Sequence, residues 1–200
     1  MKKILFAFAP LVIAAGLAFN IGDPLPIGSA MPKADLKMKD VSGKDISIQD
    51  VAKGKGVLVM FSCNTCPYVV KNQERTKAIA SYALRNDIGV ILLNSNEAQR
   101  GDDDGLDQMR KYAESQNFKW NYVVDQNSEM ANAFGANRTP ECYLFNKGLT
   151  LVYHGAIDDN PAEADNVHRQ HLKEAISELA ADKTITVKES RSVGCSIKRN

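Results

Sequence analysis

The run Gly56-Val-Leu-Val-Met-Phe-Ser62 constrains this 200-residue chain more than any other feature. It holds no charge and shows no polar alternation, so it does not suit a strand with one wet face. It suits a strand covered on both faces, the condition of a parallel sheet sheltered by helices on either side. A second run of the same kind, at residues 89–94, stands beyond a helical stretch at 65–85. In that stretch Val69, Ile79, Tyr82 and Ala83 are candidate inward residues.

The other segments extend the pattern. Residues 23–32, rich in Pro and Gly, read as a lead-in. Val41-Ser-Gly-Lys-Asp45 carries turn chemistry between weak strand signals at 36–39 and 46–48, and predicts a hairpin. A helix is expected at 102–117, a short strand at 122–125, and a short helix at 128–134 that Gly135 can terminate. Strands at 141–146 and 149–156 are joined by Lys147-Gly148, a link short enough for an antiparallel hairpin. A last helix is expected at 161–181, where Leu172, Ala175, Ile176 and Leu179 recur at helical spacing. The alternation predicts an α/β fold, a central mixed sheet with helices on both faces. No internal repeat is present.

The first twenty residues are different material. Lys2 and Lys3 precede an almost unbroken apolar run at 4–17, and Gly16 and Ala18 supply small residues for cleavage. This predicts a signal peptide at 1–20, a globular domain at 21–186 and a C-terminal tail at 187–200. A permanent span needs about 20 apolar residues, more than this run offers. The expected location is the bacterial periplasm or beyond, with membrane contact only through an uncleaved signal. Lys+Arg 25 against Asp+Glu 24 leaves a net charge of +1 and no reason to expect nucleic acid as a partner. Asp102, Asp103 and Asp104 read as a solvated helix start.

Cys63-Asn64-Thr65-Cys66 stands where the first buried strand ends and a helix begins. Unpaired N–H groups and the helix dipole favour a thiolate there and should lower its pKa. A spacing of three along a helix returns the second sulfur to the same face, within reach of a disulfide. Cys63, at the tip, is the candidate exposed nucleophile; Cys66, one turn inward, is the candidate resolving thiol. A structural zinc site lacks a second ligand pair. A purely structural disulfide across so short a loop would add little stability. Cys142 lies on an expected core strand as a small apolar residue. Cys195, in the tail, is open to pairing with Cys142, to service as an auxiliary resolving thiol, or to pairing with another chain. His168 and His171 share a helix surface, and His154 would allow a copper-binding alternative with Cys63 and Cys66.

With Thr139-Pro140 placed before the strand at 141–146, the chain resembles the thioredoxin-fold redoxins, a group that includes thioredoxin-like reductases and AhpC/TSA peroxiredoxin relatives. Phe61-Ser-Cys-Asn-Thr-Cys-Pro-Tyr68, Leu93-Asn-Ser-Asn96, Tyr153-His-Gly-Ala-Ile-Asp-Asp159 and Gly194-Cys-Ser-Ile-Lys198 carry the same resemblance. It implies a three-layer thioredoxin-like fold with Pro140 in cis, and a loop at Thr139 and Pro140 that aligns a substrate strand. The implied activity is thiol–disulfide exchange with protein disulfides, replenished by an upstream thiol donor. No cofactor or metal is implied beyond a redox-active Cys63–Cys66 disulfide. Thiol peroxidase activity is the alternative, although no proline stands in the register that a peroxidatic cysteine requires. The strand before the motif carries no acid to manage the resolving thiol's proton. Glu141, beside Pro140, is the candidate substitute, against its being an exposed residue with no role.

Overall fold

A computed structural model describes residues 23–200; the expected signal peptide falls outside the described residues. In chain order the strands are β1 (Met38–Asp40), β2 (Asp45–Ile46), β3 (Gly56–Ser62), β4 (Ile88–Asn94), β5 (Asn121–Val124), β6 (Arg138–Thr139), β7 (Glu141–Asn146), β8 (Leu151–Gly155) and β9 (Cys195–Ser196). The helices are α1 (Ile48–Val51), α2 (Pro67–Lys71), α3 (Gln73–Arg85), α4 (Leu106–Ser115), α5 (Glu129–Phe134) and α6 (His171–Ala180). Among the described residues, seven strands form one sheet in the order β2-β1-β5-β4-β3-β7-β8. β3, β4 and β5 run parallel, while β7 and β8 add the antiparallel edge expected from the Lys147-Gly148 link.

Every residue of β3 and β4 is buried, as their unbroken apolar composition requires. Side chains alternate between two layers because successive Cβ atoms point to opposite faces. Leu58, Met60, Val90 and Leu92 pack with Ile79, Ala83, Met109, Leu172 and Ile176 of α3, α4 and α6. Val57, Val59, Phe61, Ile91 and Leu93 pack on the other face with Ile48, Met130 and Phe134 of α1 and α5. Each fully buried side chain of this size contributes about 1.5–3 kcal/mol. The three-layer α/β arrangement is the one the sequence predicts.

Several boundaries differ. The stretch at 65–85 is two helices, because Asn72 sits at φ −92°, ψ 2° and its buried amide donates to the carbonyls of Tyr68 and Pro161. The last helix begins only at His171, about ten residues later than expected. The preceding segment is held by polar contacts, chiefly Arg75 on Asp158 at 2.7 Å and on the Asn160 carbonyl at 2.8 Å. His168 therefore lies outside the helix that His171 starts. α4 begins at Leu106, so the three aspartates precede it, and Asp104 is fully buried where a solvated residue was expected. Gly135 ends α5 at φ +63°, where an added Cβ would meet the Asp23 carbonyl oxygen at 1.8 Å.

Candidate functional site

The site forms where β3 meets α2. Cys63 follows the last residue of β3, and Cys66 is the N-cap of α2 with Pro67 in its first turn, where a missing N–H costs nothing. Across from them the Thr139–Pro140 peptide is cis, as the family resemblance implies. Thr139 is the meeting point. Its hydroxyl oxygen lies 3.5 Å from Cys63 Sγ, and its carbonyl oxygen lies 3.2 Å from Cys66 Sγ.

The sulfur pairing differs from the expected one. Cys66 is bonded to Cys195, with Cα atoms 6.0 Å apart across a sequence separation of 129, while Cys63 and Cys142 are free thiols. The cause is the tail. β9 pairs antiparallel with β6, setting Cys195 opposite Thr139 and Ser196 opposite Arg138. Gly194 makes this approach possible, since a Cβ there would stand 2.2 Å from the Thr139 carbonyl oxygen. Further along, Ile197 N–H donates to the Asn137 carbonyl, and Lys198 N–H donates to Asn96 Oδ1 at 2.9 Å. Cys195 thus joins the small cluster of Cys63, Cys66 and Val69.

Cys63 is 1 % exposed, not the open tip its position suggested. Burial pushes its thiol above the ordinary value, and the Asp104 carboxylate adds to the rise. The Thr139 hydroxyl and the backbone N–H groups of Cys66 and Thr65 pull the other way. The expected lowering is therefore overturned: the N–H groups just ahead of α2 favour the thiolate, but desolvation outweighs them. Cys142 is fully buried on β7, the small core residue expected, and burial drives its thiol far up.

A polar network that sequence reasoning missed holds the motif. Asp104 Oδ1 accepts from Asn64 N–H at 2.9 Å and from Asn94 Nδ2 at 2.7 Å, while Oδ2 accepts from Asn96 Nδ2 at 2.8 Å. The Tyr122 hydroxyl donates to Asn64 Oδ1 at 2.9 Å and accepts from Asn94 Nδ2 at 3.0 Å. Asn94 ends β4 and is in register with Ser62 of β3. The available signal was Asn94-Ser-Asn96, polar residues at the carboxyl end of a buried parallel strand, the edge at which α/β sheets place their sites.

Glu141 is 3 % exposed, so it is neither solvated nor idle. Its Oε2 accepts from the backbone N–H groups of Asn137 and Arg138, and its Oε1 contacts His154 Nε2 at 2.7 Å. The two backbone bonds hold the loop that carries Thr139 and Pro140. His154 is engaged by Glu141, and among the described residues no three His, Cys, Asp or Glu side chains converge as metal ligands. No helix among the described residues is long and apolar enough to cross a membrane.

A family model for redoxins matches residues 26–170. Among solved structures, an uncharacterized conserved protein of Geobacillus kaustophilus is 29 % identical, with a TM-score of 0.81 over 88 % of this chain and 93 % of that one. A hypothetical protein of Sinorhizobium meliloti is 26 % identical, with a TM-score of 0.81 over 89 % and 97 %. The thioredoxin domain of a thiol-disulfide oxidoreductase from Bacteroides vulgatus shares the fold at 19 % identity, with a TM-score of 0.55 over 66 % and 89 %. No curated protein matches the chain.

Proposed function

The chain belongs to the redoxin family, and on that premise we propose that it is an exported thiol–disulfide oxidoreductase acting on protein disulfides through Cys63 and Cys66. One observation carries the reading: the Cys63 thiol and the sulfur of Cys66 both lie on Thr139, the residue before the cis-proline. A nucleophile, a second sulfur and an exchangeable disulfide are then gathered at one helix start. The disulfide itself supports an oxidising location outside the cytosol.

The chemistry runs from the reduced protein. The Cys63 thiolate attacks one sulfur of a substrate disulfide, and the other leaves as a thiolate that takes up a proton. Cys66 then attacks Cys63 Sγ, releasing the second substrate sulfur as a thiol. Two electrons pass to the substrate and a Cys63–Cys66 disulfide remains, for an upstream thiol donor to reduce. The hydroxyl of Thr139 and the N–H groups of Thr65 and Cys66 steady the Cys63 thiolate, which is the form that reacts.

The test uses insulin as the disulfide probe. The full chain should accelerate its reduction by dithiothreitol, and Cys63→Ser should abolish that acceleration. Cys66→Ser should instead accumulate covalent complexes through Cys63. A Cys63→Ser variant as active as the parent chain would overturn the assignment.

A further inference from the structure

The tail lies where a substrate strand would lie, with its cysteine on the second sulfur of the motif. An extended strand lies antiparallel on β6 beside the cis-proline, and its cysteine is in a disulfide with the motif. Beyond that pairing, the backbone of Ile197 is tied to Asn137 and that of Lys198 to Asn96 and Ala98. Meanwhile Cys63 stays a free thiol, buried in the same small cluster as that disulfide.

We infer that the tail blocks the place of a substrate strand, and that Cys63 exchanges with the Cys66–Cys195 disulfide to release it. The inference rests on the proposed thiol–disulfide chemistry of the motif. The Cys63 thiolate attacks Cys66 Sγ, the Cys66–Cys195 bond breaks, and Cys195 leaves as a thiolate. The proton lost by Cys63 is balanced by the one that Cys195 takes up, and no outside oxidant or reductant is consumed. The product is a Cys63–Cys66 disulfide with the tail free to leave β6. Cys195 is thereby a third redox cysteine, which closes the site in one pairing and opens it in the other. With the tail docked, the edge of Arg138 and Thr139 is already paired, so a second extended strand cannot use it.

Gly194 makes the docking sensitive to a residue outside the reacting sulfurs. A side chain there meets the Thr139 carbonyl, so Gly194→Val should loosen the tail without touching a cysteine.

The experiment maps disulfides in the full chain. Protein equilibrated in glutathione redox buffers is acid-quenched, alkylated and analysed by peptide mass spectrometry. The parent chain should show both Cys66–Cys195 and Cys63–Cys66, and Gly194→Val should shift the ratio toward Cys63–Cys66. In Cys195→Ser only Cys63–Cys66 should form. After full reduction, iodoacetamide should modify Cys63 in Cys195→Ser about tenfold faster than it modifies the free Cys63 of parent chains that hold Cys66–Cys195, as expected when a docked segment is freed. Gly194→Val and Cys195→Ser test the same release by different routes, so one poorly folded variant does not decide the outcome. The inference is overturned if Cys63–Cys66 never appears in the parent chain while Gly194→Val leaves the map unchanged. Insulin reduction separates the two readings. Its persistence once dithiothreitol has opened Cys66–Cys195, in a chain where Cys63 never exchanges with that bond, strikes the tail mechanism alone. Its loss in a chain whose sulfurs still exchange strikes the protein-substrate reading.

Discussion

Replacing Asp104 by Asn should lower stability and lower the Cys63 pKa at the same time. The carboxylate is completely buried and accepts three hydrogen bonds, from Asn64 N–H, Asn94 Nδ2 and Asn96 Nδ2. An asparagine amide can keep the two on Oδ1, but its NH2 would then face the NH2 of Asn96. Turning the Asn96 amide would repair that clash only by giving up the bond from Lys198 N–H, which helps hold the tail. Either route loses one hydrogen bond and leaves the remaining ones without the charge that strengthened them, at about 1.5–3 kcal/mol. At about 2–4 °C per kcal/mol for a chain of this size, the Tm should fall by about 3–12 °C. The electrostatic sign is opposite for the thiol. Burial is the larger cause of the raised Cys63 pKa and remains, while the contribution of the Asp104 charge disappears, so the pKa moves down. Thermal unfolding checks the first part. Thiolate absorbance against pH checks the second, in a Cys66→Ser, Cys195→Ser background, with the same chain lacking Cys63 as the blank for buried Cys142. An unchanged Tm together with a Cys63 pKa that is unmoved or higher would refute the network as described.

Other consequences follow from the same packing and charges. Phe134→Ala removes a buried ring that meets Phe61, Tyr143 and Phe145 edge-on at centroid distances of 5.4, 5.1 and 5.7 Å, and should cost about 3–5 kcal/mol by denaturant titration. Glu141→Gln removes the charge that the two backbone N–H groups meet and sets an NH2 against His154; a loss of about 1–3 kcal/mol is expected, with slower insulin reduction as the Thr139 loop loosens. The Tyr112 hydroxyl is pushed up to about 12, by burial first and by the Cys63 charge second. The folded chain therefore holds this proton after the unfolded chain has released it. Stability should fall as pH rises from about 10 toward 12, and Tyr112→Phe should flatten that fall in unfolding curves taken across the range.

The interior of this protein was legible one segment at a time. Gly56–Ser62 could be read as a strand buried on both faces because hydrophobic burial depends on composition and a period of two, both of which are local. Gly135 as a helix stop and Cys142 as core follow in the same way. The helix boundaries near 72 and 171 were less legible. They depend on Asn72 reaching the Pro161 carbonyl and on Arg75 reaching Asp158, contacts that side-chain periodicity does not contain. Asp104 shows the same limit, since three adjacent aspartates read as solvent-facing until Asn64, Asn94 and Asn96 are brought around the last of them.

What the sequence determined by itself is the chemistry available at the end of β3: two sulfurs three residues apart, between a buried strand and a helix, with a proline loop to face them. What only the tertiary structure decided is which sulfur bonds to which. The sequence suggests helical spacing and hence Cys63 as the partner of Cys66, yet the helix begins only at Pro67, and Cys195 arrives from 129 residues away because the tail pairs with β6 and Gly194 lets it lie against Thr139. A disulfide needs its Cα atoms within about 7 Å, and that distance is a property of the closed fold. The exposure of Cys63 was decided in the same place, by the desolvation that packing imposes on a residue whose local position favours a thiolate.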